Sequence, residues 1–318
     1  MAVIKVSPHL LTPPWEEVVE EFLLTKKAEG RSPLTLRDYT RHLKTFFRKH
    51  PDAWPDYHKL KAAIREYFAA LASKSPTAYN LPRAYLKHFF GWCVSEGYLV
   101  GNPLEGVPKR KDEGRPRSVD EETIKALLSL PDRNSYTGIR DYALILLQVD
   151  TGIRPGEALQ LTPSCFNLRN LEVTIPSSVA KTRQARVVVI SPQTAKAIKR
   201  LLAVRPAAWK EDVPVFASQD GKAMLETSWA HRLRRYGQKL GVRVNPYSLR
   251  HTAAIMSLRN GGSAFFVQKQ LGHASLAMTK RYVHLVEADL HREHEVCSPV
   301  ASILPERQRA KRKVNSRA

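Results

Sequence analysis

Leu271-Gly272-His273-Ala274-Ser275, continued by Thr279-Lys280-Arg281-Tyr282-Val283-His284, is the stretch on which the reading of this chain turns. A glycine behind an apolar helical run ends a helix, so His273 stands just past a helix C-terminus. Tyr282 follows nine residues later, on the next element. A tyrosine in a helix is a core residue by default, with a large ring to bury and a hydroxyl to satisfy. Taken alone, this stretch does not lift Tyr282 above that default.

Three upstream segments change its weight. Tyr247-Ser248-Leu249-Arg250-His251-Thr252 places Tyr247 and Arg250 one helical turn apart, on one face. The planar fork of an arginine suits a phosphate. Thr151-Gly152-Ile153-Arg154-Pro155-Gly156-Glu157 sets Arg154 at a helix opened by Pro155, where free N–H groups and the positive dipole end favour an anion. Glu157 lies three residues on, close to the same face. A surface Arg–Glu pair is the plain alternative. Lys181 is the only lysine between Lys125 and Lys196, and it falls in the tip between two expected strands. Such a lysine is ordinarily solvated and matters only if the hairpin reaches into a site.

The order Arg, Lys, Tyr-x-x-Arg, Gly-His, Tyr resembles the tyrosine recombinase family: phage integrases, Xer-type recombinases and related transposon enzymes. Thr-Gly-Ile-Arg is similar to the first arginine box, Ser-Leu-Arg-His-Thr to the second, and Leu-Gly-His with Tyr-Val-His to the closing box. The resemblance implies a site-specific DNA strand transferase. Tyr282 attacks the scissile phosphate and forms a 3′-phosphotyrosyl link. Lys181 protonates the leaving 5′-oxygen, Arg154 and Arg250 hold the non-bridging oxygens, His273 donates a further hydrogen bond, and Glu157 orients its neighbours. No cofactor, metal or ATP is implied, since fixed cations stabilise the charge and the phosphotyrosine stores the bond energy. The implied partners are a double-stranded DNA recombination site and further copies of the chain, as a tetramer on two duplexes exchanging a C-terminal segment that includes Leu285 and Leu290. One position departs from the pattern: Tyr247 stands where the family commonly has histidine, and tyrosine is a weaker base near neutral pH. His251 is adjacent to Arg250 but points about 100° away around the helix, so this reading does not give it the missing role.

Composition agrees with a polyanionic partner. In 318 residues, 51 Lys and Arg face 30 Asp and Glu, a net charge of +21. Hydrophobic residues make up 43%, enough for real cores and against disorder. Cys93, Cys165 and Cys297 are odd in number and widely spaced, which argues against a disulfide framework or a structural zinc site and fits a reducing cytoplasm. Neither a secretory signal nor a membrane span is expected.

The expected fold is mainly α with a small antiparallel β-sheet. Helices are read over about 15–27, 33–49, 57–72 and 78–96, the last starting late or kinking at Pro82. Leu171 to Ile175 and Arg186 to Ile190 are read as the two strands. Helices follow at about 193–204, 228–240, 249–260 and 264–271. The domains read as a helical core-binding domain over 12–103, a basic linker over 104–117, a mixed α+β catalytic domain over 113–298 and a basic tail over 299–318. Because the core-binding helices come almost at once, a transposon, plasmid or Xer-like enzyme fits better than a larger phage integrase. Three rivals use the same features: a catalytically altered DNA-binding relative, a type IB topoisomerase and a helical transcriptional regulator. The last leaves the ordered boxes unexplained.

Overall fold

In the computed structural model, which describes residues 13–111, 118–283, 294 and 299–303, two compact units divide between Gly114 and Arg115. The first holds four helices: α1 (Trp15–Ala28), α2 (Pro33–Lys49), α3 (Tyr57–Ala70) and α4 (Pro76–Ser95). Side-chain oxygens start three of them. Ser32 accepts from the Thr35 amide, Asp56 from those of His58 and Lys59, and Ser75 from that of Ala78. That last cap, with Pro76 behind it, starts α4 ahead of Pro82, and the helix runs on through the buried proline.

The centre of this unit is aromatic. Phe22, Phe46, Phe47, Phe89 and Phe90 are fully buried, each contributing about 1.5–3 kcal/mol of apolar transfer. Leu104 is buried in the same cluster and Val107 packs against it. Arg83 donates to the Val107 carbonyl, and the Asn80 side-chain amide donates to the Arg110 carbonyl and accepts from the Arg110 amide. The first part of the basic stretch after residue 103 is therefore strapped to the helices. Residues 112–117 of the expected linker lie outside the described residues.

The second unit is built around α6 (Tyr136–Thr151), which buries most of its surface. Beside it lie α5 (Glu121–Ser129), the single turn α7 (Pro155–Ala158), α8 (Pro192–Ala203), α9 (Glu226–Lys239) and α10 (Pro246–Arg259). Asp141 is fully buried on α6 and is matched by three donors: Arg140 at 2.8 Å, Arg232 at 2.5 Å and Tyr236 at 2.8 Å. Burial, then the Asp141 charge, pushes the Tyr236 hydroxyl up to about 12, so it stays a donor. Trp229, also fully buried, donates to Gln148 at 2.7 Å.

The sheet is antiparallel, in the order β1 (Phe166–Asn167), β2 (Glu172–Ile175), β3 (Arg186–Val189), with Val173 opposite Val188. Val173, Ile175 and Val188 enter the core while Val187 and Val189 face out, the alternation expected of a sheet with one wet face. Two strands are as the sequence predicts. The third, two residues long, is too short to carry a period.

A small satellite core closes the unit. Ala254 and Ile255 of α10, Val267 and Leu271 of α11 (Ala264–Leu271), and Tyr282 of α12 (Leu276–Val283) form it, apart from the main cluster. His284, Leu285, Leu290 and residues 304–318 of the basic tail lie outside the described residues.

Candidate active site

Two helix ends make the floor of the site. α6 ends at Gly152 and α11 at Gly272, both in the left-handed region, with φ of 62° and 65°. Carbonyls at a helix C-terminus lack intrahelical partners and carry the negative end of the dipole. Here arginines satisfy them. Arg250 donates to the Gly152 carbonyl at 2.5 Å and to the Leu271 carbonyl at 3.0 Å. Arg154 donates to the Gly272 carbonyl at 2.9 Å. The two arginines are 96 positions apart in sequence, yet both are pinned at the end of α11, and Arg250 bridges from there to the end of α6. Each guanidinium carries five donors, more than these bonds use.

Glu157 ties the strand side to this floor. Its carboxylate accepts from Arg154 at 3.1 Å, from the Lys181 amide at 3.1 Å and from Arg186 at 2.5 Å. Burial, the strongest single influence, would raise its pKa. The Arg186 bond and charge, the Lys181 amide and Arg154 outweigh it and hold the carboxyl below its ordinary value. Through that amide, the carboxylate fixes the backbone of the β2–β3 loop at Lys181, whose side chain is exposed. Arg154 caps a helix of only one turn, so the dipole contribution read from sequence gives way to side-chain bonding.

Arg250 is almost fully buried, and its pKa is lowered to about 10, first by burial, then by Arg154, with Tyr282 and Glu157 opposing and Arg186 adding to the lowering. Arg154, Arg186, Arg250, Glu157 and Tyr282 thus share one electrostatic neighbourhood. Tyr247 borders it. Its pKa is raised by burial and then by the Glu226 charge, while Arg250 and Arg154 pull the other way.

Tyr282 is 3% exposed, buried as the default for a helical tyrosine requires. The His273 ring lies parallel to it, centroids 6.1 Å apart, and His273 Nδ1 pairs with Thr279 Oγ1 at 2.8 Å. The hydroxyl itself meets His251, with Nδ1 2.7 Å from Oη. The sequence reading set His251 aside because it points away from Arg250. The angle holds, but α12 packs on that other face of α10 and brings the hydroxyl to His251 there. Arg186 and Thr279 also escaped the sequence. Thr279 had a signal, lying one turn before Tyr282. Arg186 opens an apolar strand and had none.

Among the described residues, no group of three or more His, Cys, Asp or Glu side chains could hold a metal ion, and no helix is long and apolar enough to cross a membrane.

Residues 117–288 match the model of the phage integrase family. Tyrosine recombinase XerC of Serratia marcescens is 28% identical over 299 residues, covering 92% of this chain and 97% of the relative. A crystal structure of the XerH site-specific recombinase bound to a palindromic difH substrate, a post-cleavage complex, is similar in fold, with a TM-score of 0.69, 24% identity and coverage of 89% and 84%. A lambda integrase dimer bound to a COC′ core site gives a TM-score of 0.67 at 16% identity, covering 84% of this chain and 97% of that one.

Proposed function

The chain belongs to the phage integrase family of tyrosine recombinases, and from that premise we propose that it is a site-specific DNA strand transferase that cuts and rejoins DNA through a covalent bond between Tyr282 and a 3′-phosphate. The supporting observation is the convergence of Arg154 and Arg250 on the helix ends at Gly152 and Gly272, in one electrostatic neighbourhood with Tyr282.

The chemistry follows from that placement. The Tyr282 oxygen attacks phosphorus in line, and the bond to the 5′-oxygen breaks. Negative charge grows on the two non-bridging oxygens, and the remaining donors of Arg154 and Arg250 receive it. Donors already fixed by backbone carbonyls need no reorganisation when that charge appears. His273, positioned through Thr279, donates a further bond to the phosphate. Lys181, carried on a loop anchored at Glu157, gives a proton to the departing 5′-oxygen. Rejoining is the reverse, with a 5′-hydroxyl attacking the phosphotyrosine. The assembly that fits is a homotetramer on two duplexes, acting in the cytoplasm on integration, excision, transposition or resolution substrates.

The experiment starts by letting the protein select its own site from a random duplex library. A nicked duplex of the selected sequence, incubated with the protein and run on a denaturing gel, gives a covalent protein–DNA band. The band is absent in Tyr282→Phe. Its persistence in that variant would remove Tyr282 as the nucleophile. Relaxation of supercoiled plasmid by the monomer, without strand exchange, would favour a topoisomerase instead.

A further inference from the structure

We propose that His251 holds the Tyr282 hydroxyl and takes its proton as the oxygen attacks phosphorus. This rests on the assignment of Tyr282 as nucleophile. A tyrosine hydroxyl with an ordinary pKa of about 10 is almost wholly protonated at neutral pH, so the attack needs an acceptor for its proton. A neutral imidazole, with an ordinary pKa of about 6.5, is matched to that task.

The geometry selects His251 for it. Nδ1 lies 2.7 Å from Oη, at the short end of hydrogen-bond distances, with the rings 5.7 Å apart and tilted by 41°. The half-buried imidazole stands beside the buried phenol. The two other candidates are placed otherwise. Tyr247 is 48% exposed, and burial followed by the Glu226 charge makes its phenolate harder to form. His273 lies parallel to the phenol ring and spends Nδ1 on Thr279. Arg250 and His251 are consecutive on α10. One turns to the helix ends and the other to α12, so a single helix fixes both the phosphate clamp and the proton acceptor.

The step balances. The proton on Oη passes to Nδ1, which requires the imidazole to carry its own proton on Nε2 beforehand. The Oη–P bond forms, the P–O5′ bond breaks, and the 5′-oxygen leaves with a proton from the general acid. An imidazolium and a 5′-hydroxyl remain. On rejoining, the imidazolium returns its proton to the tyrosine.

The test uses the full chain and the nicked duplex selected by the wild-type protein. His251→Ala is expected to slow covalent-band formation about 10²–10⁴-fold at neutral pH, with affinity for the duplex unchanged. His251→Asn places an amide near the position of Nδ1 but cannot take a proton, and is expected to be as slow. The wild-type rate should rise with pH through the imidazole range, and that rise should be absent in His251→Asn. A structural role for the ring would not move the pH profile, so the asparagine variant decides the matter even if the alanine variant is unstable. Either variant reacting within about threefold of wild type, or His251→Asn keeping the wild-type pH profile, overturns the assignment while leaving Tyr282 in place. A wild-type protein that forms no covalent band, or a band that survives Tyr282→Phe, overturns the nucleophile and this inference with it.

Discussion

Glu157 ties the fold to the proposed chemistry through a single carboxylate. Its buried carboxylate is shared by Arg154, Arg186 and the Lys181 amide. Removing its charge leaves two part-buried cations unmatched, which costs on the order of 3 kcal/mol at neutral pH. Its pKa is held below the ordinary 4.5, so it stabilises the fold above that pH and loses the contribution as pH falls through its folded value. Thermal melts should therefore show Glu157→Gln well below wild type at pH 7, with the gap closing on acidification below about pH 4.5. A gap that stays constant with pH would mean the charge is not what matters. Lys181 makes a separate prediction, because its amine is exposed and its substitution should leave the melt unchanged. Lys181→Ala should slow cleavage about 10²–10⁴-fold. A 5′-bridging phosphorothiolate, whose leaving sulfur needs no proton, should restore the rate. Failure of that rescue would place the general acid elsewhere.

At the scale of elements, the site is made by ends rather than by faces. Gly152 must hold a positive φ, and a Cβ there would stand 2.2 Å from Leu271 Cδ2. At Gly272 a Cβ would meet Arg186 Nε at 2.6 Å. The left-handed conformation alone costs a non-glycine residue about 1–2 kcal/mol, or roughly 2–8 °C in a unit of this size. Gly152→Ala should lower the melting temperature by at least that much. It should reduce cleavage further than the folded fraction explains, because it displaces the carbonyl that positions Arg250. A rate that merely tracks the folded fraction would refute the positioning role of this helix end. These ends also mark what the sequence made legible. Gly272 was visible as a stop, and Leu171 to Ile175 with Arg186 to Ile190 as strands, because local chemistry sets each of them. The reach of Arg154 and Arg250 to carbonyls across the fold was not visible, and neither was the meeting of His251 with Tyr282. Periodicity along a helix tells which side chains share a face but not which element will pack on it.

Across the whole molecule, the proposed function draws affinity and reaction from different electrostatic sources. The net charge of +21 is spread over the chain, while the arginines at the helix ends are fixed and largely buried. Diffuse surface charge binds a duplex by releasing counterions, and each phosphate neutralised contributes about −0.9 to the slope of log affinity against log salt. A protein making about 6–10 such contacts loses roughly 10³–10⁵ in affinity between 50 and 200 mM salt. Arg250, its cation enclosed by protein, is screened much less. Duplex binding by the full chain should therefore weaken steeply with salt, for selected and unrelated sequences alike. The rate of covalent-band formation at saturating protein should change by less than about threefold over the same range, since the arginines proposed to face the phosphate are already shielded from the solution. The two measurements share one protein and one duplex, so they separate cleanly. If the saturated rate falls in step with affinity, the arginines act as solvated surface charges, and the preorganisation attributed to the helix ends at Gly152 and Gly272 does not operate.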